Sequence, residues 1–354
     1  MTSKKIARIT AILLLLALTL IFALMAGCSS STNSDNKGDD AQAGDTGDVD
    51  LTQGDSYVVN IASNFPDEGP VNELAVQFQT YVQDKTDGRI EVVIHPNGAL
   101  GGANEIAQGI KEGTIEMGLY ADEDIEYYCP EYSIFSAPYT FRDAEHYKSF
   151  FAEYGDWIFG EIQKSTGAIT GSWVYRGTRA ITANKEIIEP SDLQGLKFRL
   201  PAMPLRVAVF EAYGASPTIV EFSELYMALK TGTVDAQENP PETIASYKYY
   251  EAQSHLMTSG HIQVFGRSVM SEVWFNTLDA ADQALFVEAW NYAHDQVASM
   301  YPDPDADYLQ ICADEGMTIV EPNVQAFLDQ AKPVVEQYAA DNWEPTLMDK
   351  INSL

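Results

Sequence analysis

The sequence predicts an α/β fold, in which two α/β units face one another across a cleft. Three observations predict it. Apolar alternation, helical periodicity and alternation again succeed one another between Tyr57 and Tyr120, with short Gly/Pro connections. That is the strand–helix–strand order of a largely parallel sheet. The same alternation restarts near Ile169 and continues past Val234. Finally, about 300 residues follow the N-terminal region, enough for two domains of ordinary size.

Taken in order, Tyr57–Ala62 alternates and reads as a strand, Pro66–Pro70 as a turn and Glu73–Lys85 as an amphipathic helix. Arg89–His95 is a second strand, broken off by Pro96-Asn97-Gly98 and Leu100-Gly101-Gly102. A helix over about Asn104–Lys111 and a strand over Ile115–Tyr120 complete the first run. The second run has strands at Ile169–Trp173, Arg179–Ala183 and Lys197–Leu200, and helices at about Pro204–Tyr213 and Phe222–Thr231. A buried strand near Val234 follows. Asp279–Met300 is one long amphipathic helix with apolar positions at Ala284, Val287, Trp290 and Val297. In open α/β sheets ligands bind beyond the carboxyl ends of the strands, so the chemistry is sought there.

Upstream, Lys4, Lys5 and Arg8 precede the uncharged run Ile9–Leu24, which closes on Met25-Ala26-Gly27-Cys28. A basic start, a short apolar run and small residues before a cleavage point mark a secretory signal. The cysteine directly after Ala26-Gly27 gives it the bacterial lipoprotein form, with residues 1–27 removed and Cys28 acylated. The alternative is an uncleaved single-span anchor. Both place the remaining chain outside the cytoplasm, the first by a lipid anchor in the cell membrane. Residues 28–55 are mostly Ser, Asp, Gly, Asn and Thr, too polar to bury apolar surface, and read as a disordered tether.

Charge excludes several partners. The chain has 21 Lys plus Arg against 52 Asp plus Glu, a net of −31; the first 27 residues hold three cations and no anion, which leaves −34. Such a surface repels nucleic acid and does not dock on anionic lipid through a basic patch. Cys129 and Cys312 could form a disulfide in an oxidising compartment, or be two small buried hydrophobes. Gly98–Gly102 lacks the dinucleotide and phosphate-loop fingerprints. Asp303, Asp305 and Asp307 have calcium-loop spacing, but Pro304 intervenes and Tyr308 stands where glycine is required. Five scattered histidines show no metal-ligand pairing, and no nucleophile–base set is visible. The expectation is a protein that is not an enzyme, with no cofactor and no metal.

Arginine is the informative residue. After Cys28 there are seven, and Arg176, Arg179, Arg199 and Arg206 fall within 31 positions. Arg199 ends the strand Lys197–Leu200, which Pro201 halts, so its side chain should reach the rim of a sheet. A planar guanidinium offers two parallel N–H donors to a carboxylate and tolerates desolvation better than an ammonium.

The run from Ser191 to Pro240 carries Asp192-Leu193-Gln194-Gly195-Leu196-Lys197-Phe198-Arg199-Leu200-Pro201, then Tyr213-Gly214-Ala215-Ser216-Pro217-Thr218, and ends in Gln237-Glu238-Asn239-Pro240. With Leu100-Gly101-Gly102, Pro138-Tyr139-Thr140-Phe141-Arg142-Asp143 and Gly177-Thr178-Arg179, it closely resembles the solute receptor of tripartite ATP-independent periplasmic (TRAP) transporters, the dicarboxylate-type family. The resemblance covers nearly all of Tyr57 to Leu354.

The resemblance implies a periplasmic-binding-protein-like α/β fold with a hinge, a cleft and a long helix spanning both domains. The chain would cross between them more than once, with 56–176 plus 265–304 in one and 177–264 plus 305–354 in the other. It implies a small carboxylate ligand, captured by hinge closure and passed to integral-membrane permease subunits. Arg199 occupies the position of the signature arginine and Arg179 that of a second one. Asn239 and Asn64 match further contacts, with Phe222 and Glu238 placed beside them. The loop Tyr120–Asp124 would face the ligand with Tyr120 and Asp122. Its acidity either favours a ligand with an amine or several hydroxyls, or is only a solvated surface. Trp173 and Tyr175 either stack on a ligand ring or face the core. A receptor feeding a sensor kinase, or a secreted hydrolase, is the alternative function.

Overall fold

The computed structural model describes residues 50–354, apart from Tyr128 and the side chains of Asp122, Glu123 and Tyr127. The signal, Cys28, most of the tether and the side chain of Asp122 therefore lie outside the described residues.

Strand β1 (Tyr57–Ser63) leads to α1 (Pro70–Lys85), β2 (Ile90–His95), α2 (Ala103–Glu112) and β3 (Met117–Ala121). Two 3-10 turns, Asp122–Tyr127 and Pro130–Ser136, precede α3 (Ala144–Thr166), β4 (Ala168–Thr178) and β5 (Ala180–Ala183). Then come β6 (Lys197–Leu200), α4 (Pro204–Ala212), β7 (Ser216–Ile219), α5 (Leu225–Lys230), β8 (Ala236–Asn239) and α6 (Pro241–Ser246). The chain continues through β9 (His255–Met257), β10 (Gln263–Ser271), α7 (Glu272–Phe275) and the 21-residue α8 (Ala280–Met300). It closes with α9 (Pro304–Asp314), β11 (Thr318–Val320), α10 (Val324–Asn342) and α11 (Leu347–Asn352).

Local chemistry sets several boundaries. Helix α1 opens on Pro70, whose missing N–H costs nothing in a first turn, and buries Val71, Leu74, Ala75, Phe78 and Val82 at helical spacing. Helix α2 stops at Gly113 in the left-handed conformation. The carboxylate of Asp143 accepts from the His146 N–H (2.8 Å) to start α3, and that of Asp279 accepts from Ala281 and Asp282 (2.9 Å each) to start α8.

The strands form two sheets, ordered β2-β1-β3-β10-β4 and β11-β9-β5-β8-β6-β7, one in each lobe. Both are mixed, not largely parallel as the sequence led us to expect. Strands β1, β2 and β3 run parallel, but β10 lies antiparallel between β3 and β4. The chain leaves the first sheet after β4 and returns to it from the second after β9, so it re-enters in the opposite sense. In the second sheet β5 is antiparallel to β8 and β9, while β6 runs parallel to β7 and β8.

The two strand crossovers are bonded to each other. Thr178 pairs with Gln263, and the Arg179 N–H donates to Ile262 O at 2.9 Å. At the far side of the first sheet, β2 is an edge strand closed by its own helix. Gln79 Nε2 donates to Val92 O (2.7 Å), and the Val92 N–H donates to Gln83 Oε1 (3.0 Å).

Cys129 and Cys312 are free thiols, each buried in a different apolar cluster, as the hydrophobe reading has it. No helix among the described residues is long and apolar enough to cross a membrane.

Candidate functional site

A cavity of about 480 Å³ lies between the lobes. Its walls come from the carboxyl ends of β1 (Asn64, Phe65), β2 (Asn97, Gly98), β3 (Ala121, Asp124), β6 (Arg199, Pro201), β7 (Val220, Phe222) and β8 (Asn239). This is the position the open-sheet rule assigns to a ligand. Arg176, Arg179 and Arg206 reach the same walls, so all four clustered arginines converge there.

Arg199 follows from β6. That strand pairs with β7 in parallel register and is stopped by Pro201, so the guanidinium arrives at the rim. It is 3 % exposed, its Nε donates to Val220 O at 2.9 Å, and it lies 6.0 Å from the Phe222 ring centroid. Arg179 sits in the first crossover. Its Nη2 donates to Glu238 O (2.8 Å), Glu238 Oε1 (3.1 Å) and Asn239 Oδ1 (3.0 Å), and its Nε to Glu238 Oε2.

Glu238 is not in the cavity wall. Strand β8 alternates, so Asn239 faces the cleft while Glu238, 0 % exposed, points behind it. There it also meets Arg206 Nη1 (3.4 Å) and His261 Nε2 (3.0 Å). Burial alone would raise its pKa, but the guanidiniums of Arg179 and Arg206 and the His261 ring outweigh burial and hold it below the usual carboxylate range. Desolvation holds His261 below its ordinary value despite Glu238. Ser259 Oγ lies 2.8 Å from His261 Nδ1, which puts a hydroxyl, an imidazole and a carboxylate in line. All three are buried and none lines the cavity, so this trio offers a hydrolase no nucleophile at the cleft.

The structure thus brings together Arg199, Arg179, Asn239, Asn64 and Phe222. With its amide turned to satisfy both groups, Asn64 donates to Gly101 O (3.0 Å) and accepts from the Ala103 N–H (2.8 Å), which fixes the start of α2 at the cleft. Trp173, Tyr175 and Tyr120, like Glu238, do not line the cavity. Trp173 packs on Phe265 of the neighbouring strand β10 and on His294 of α8 (centroids 5.5 and 4.5 Å). Tyr175 likewise packs on Phe265 (5.0 Å) and donates to Gln263 Oε1 (3.1 Å). Tyr120 is buried with Ile106, Ile110 and Val269, and its neighbour Ala121 takes the place at the wall. Sequence reasoning did not place Arg176, Arg206, Thr243 or Tyr247 at the site; for the two arginines the clustering was the available signal.

Contacts across the cleft tie the lobes together. Arg176 on β4 stacks over Phe65 (4.6 Å) and donates from Nη2 and Nε to Glu242 Oε2 (2.6 and 3.2 Å) at the start of α6. Tyr247 Oη donates to Asn64 O at 3.3 Å. Asp305, in the first turn of α9, reaches the crossover between β4 and β5. Its carboxylate accepts from the Thr178 N–H (2.9 and 3.1 Å) and from Thr178 Oγ1 (3.2 Å). Gly177 makes room for it: its φ is +89°, and a Cβ there would stand 2.1 Å from Asp305 Oδ1.

The family model "Bacterial extracellular solute-binding protein, family 7" matches residues 61–342. The chain is 30 % identical over 272 residues to a solute-binding protein of Roseobacter denitrificans, covering 77 % of this chain and 83 % of that one. It is 25 % identical over 278 residues to the C4-dicarboxylate-binding periplasmic protein DctP of Vibrio cholerae, covering 78 % and 84 %. Among solved structures, a TRAP periplasmic solute-binding protein of Roseobacter denitrificans with bound L-galactonate superposes with a TM-score of 0.78. Identity there is 27 %, over 84 % of this chain and 98 % of that one.

Proposed function

The chain belongs to bacterial extracellular solute-binding protein family 7, the solute receptors of TRAP transporters, and on that premise we propose that its arginine-lined cleft captures a small organic acid by hinge closure. It is an extracytoplasmic receptor that works with a membrane permease. The proposal adds where and how the solute is held.

One observation carries it: Arg199 and Arg179, from different elements, point into one cavity at the carboxyl ends of the strands of both lobes. A ligand carboxylate bridges these guanidiniums, and Asn239 and the loop after β3 close over it. Exclusion of water then strengthens each charged pair by lowering the effective dielectric. Arg206 and Glu238 hold Arg179 in place from behind. The relatives' ligands, a C4-dicarboxylate and L-galactonate, support a carboxylate here. Hinge motion is assigned to the crossovers near Thr178 and Ile262 and the link before α9, with the lobes divided as 56–176 plus 265–304 and 177–264 plus 305–354. Acylation of Cys28, read from Met25-Ala26-Gly27-Cys28, would hold the receptor at the outer face of the cell membrane.

A thermal-shift titration of the purified chain against small organic acids tests this. An acid at a hundred times its dissociation constant should add about 2.7 kcal/mol of stability. The shift should vanish in Arg199→Ala. A shift that persists in that variant, or none across the acids, refutes the site.

A further inference from the structure

The motif Pro138-Tyr139-Thr140-Phe141-Arg142-Asp143 is not absorbed by the site: among the described residues that line the cavity, none comes from it. Most of the motif has a local explanation. Asp143 starts α3, the Arg142 N–H donates to His146 Nδ1 (3.2 Å), and the Phe141 ring packs on Tyr147 and Phe150 (centroids 4.8 and 5.6 Å). Tyr139 does not. Its φ is +57°, in the left-handed region. Three other non-glycine residues among those described share that region: Asp87, Asn97 and Lys248. Asp and Asn enter it at little cost, and Lys248 follows the last turn of α6, a common place for such a residue. For an aromatic residue in a loop the conformation is strained, and it persists only where the surroundings impose it.

The crossover between β9 and β10 imposes it. The Tyr139 N–H donates to His261 O (2.6 Å), and its hydroxyl donates to Ser259 O (3.2 Å). The ring lies 6.4 Å from that of His261. The two carbonyls gripped in this way flank Gly260, which has φ +56° and nothing but its chain neighbours within 4 Å of where a Cβ would stand. With no packing at its centre, this turn takes its shape from bonds on either side, and two of them come from Tyr139. The turn in turn carries groups that stand behind the cleft. His261 Nε2 lies 3.0 Å from Glu238 Oε2, Ser259 Oγ donates to Arg179 O (3.4 Å), and Glu238 is ion-paired to the Arg179 guanidinium.

Building on the receptor reading above, we infer that Tyr139 is a positioning residue for solute binding: by gripping Ser259 and His261 it sets the imidazole against Glu238, and through Glu238 the guanidinium of Arg179. Tyr139 itself touches no solute. Without its hydroxyl the turn at Gly260 is freed on one side, His261 moves relative to Glu238, and Arg179 meets a carboxylate in a looser geometry.

Calorimetric titration of the full chain with L-galactonate, gluconate, succinate and pyruvate tests this. Tyr139→Phe keeps the ring and loses only the bond to Ser259. The best-bound of these acids should lose about three- to tenfold in affinity, the scale of one neutral hydrogen bond. Tyr139→Asn relaxes the backbone but cannot reach Ser259, so it should bind no better than Tyr139→Phe. In a His261→Gln background Tyr139→Phe should lower the Tm as before yet cost no further affinity, because the link to Arg179 is already cut. The ring-nitrogen NMR signals of His261 should also move in Tyr139→Phe, which a merely stabilising tyrosine would not cause. Wild-type affinity in either Tyr139 variant, an equal loss with and without His261, or unmoved ring signals each overturns the inference. All of these leave the receptor reading standing if binding is lost in Arg199→Ala. If none of these acids binds, or binding is indifferent to Arg199, the receptor reading falls and this inference with it.

Discussion

Gly177→Ala is the sharpest local test of how the hinge holds Arg179. Two costs add. A Cβ at φ +89° strains the backbone by about 1–2 kcal/mol. It would also stand 2.1 Å from Asp305 Oδ1, so the carboxylate must leave the Thr178 N–H and hydroxyl. Losing hydrogen bonds to a charged acceptor costs about 1.5–3 kcal/mol. The single variant should therefore be destabilised by about 2.5–5 kcal/mol and bind its acid more weakly, since Thr178 precedes Arg179. In an Asp305→Ala background the collision partner is gone and only the backbone strain remains. Urea denaturation of the four proteins of this cycle should give a coupling of about 2 kcal/mol. If Gly177→Ala costs the same with and without Asp305, the argument from the close approach is wrong.

Arg199→Ala should weaken binding at least about tenfold, read by calorimetry, because a desolvated carboxylate loses its partner. The acidic surface repels an anion at long range, so stopped-flow association should be faster at moderate than at low salt. Burial raises the Glu126 pKa, outweighing its bond from Ser136, and among the described residues its Oε1 has no hydrogen-bond partner. A carboxyl raised in the folded state contributes stability only while protonated, and that contribution falls as pH climbs from its unfolded value through the folded one. Glu126→Gln should therefore match the wild-type Tm near pH 4.5 and exceed it at about pH 8; the reverse order refutes the assignment. Burial pushes the Cys129 thiol up to about 11 and the Cys312 thiol up to about 12, so neither should react with a maleimide until the protein is unfolded.

The arginine end of the site was legible because its cause is local. A short strand halted by Pro201 puts Arg199 at a rim wherever the strand lies in the sheet. Alternation likewise located β1 and β2, whose faces differ in burial. It failed for β10, where all nine residues are buried and no period survives. Helix α3 was missed because Tyr147, Phe150, Phe151, Tyr154, Trp157 and Phe159 crowd it among two glycines, which blurs its apolar stripe. Helix α10 carries Pro333 in its interior. The roles of Glu238 and Trp173 depend on which face of a strand meets which lobe, and that is fixed by long-range pairing. No local signal joins Glu238 to His261, 23 residues away, or Gly177 to Asp305. The mixed sheets have the same origin, since strand direction follows from the number of crossings and not from residue pattern.

The glutamine pair on α1 bears on how this receptor behaves in a crowd. A bare strand edge is a template on which any second chain can add hydrogen bonds. Gln79 and Gln83, one turn apart, present an amide N–H and an amide oxygen to the two outward groups of Val92, and so imitate the neighbour that β2 lacks. Such side chains belong to the same molecule and cannot propagate, so at that residue the ladder ends where an intermolecular one would begin. Many copies gathered at one surface could then jostle without zipping together along this edge. The device leaves that flank inert while the opposite ends of the strands, where the arginines gather, stay open for the solute.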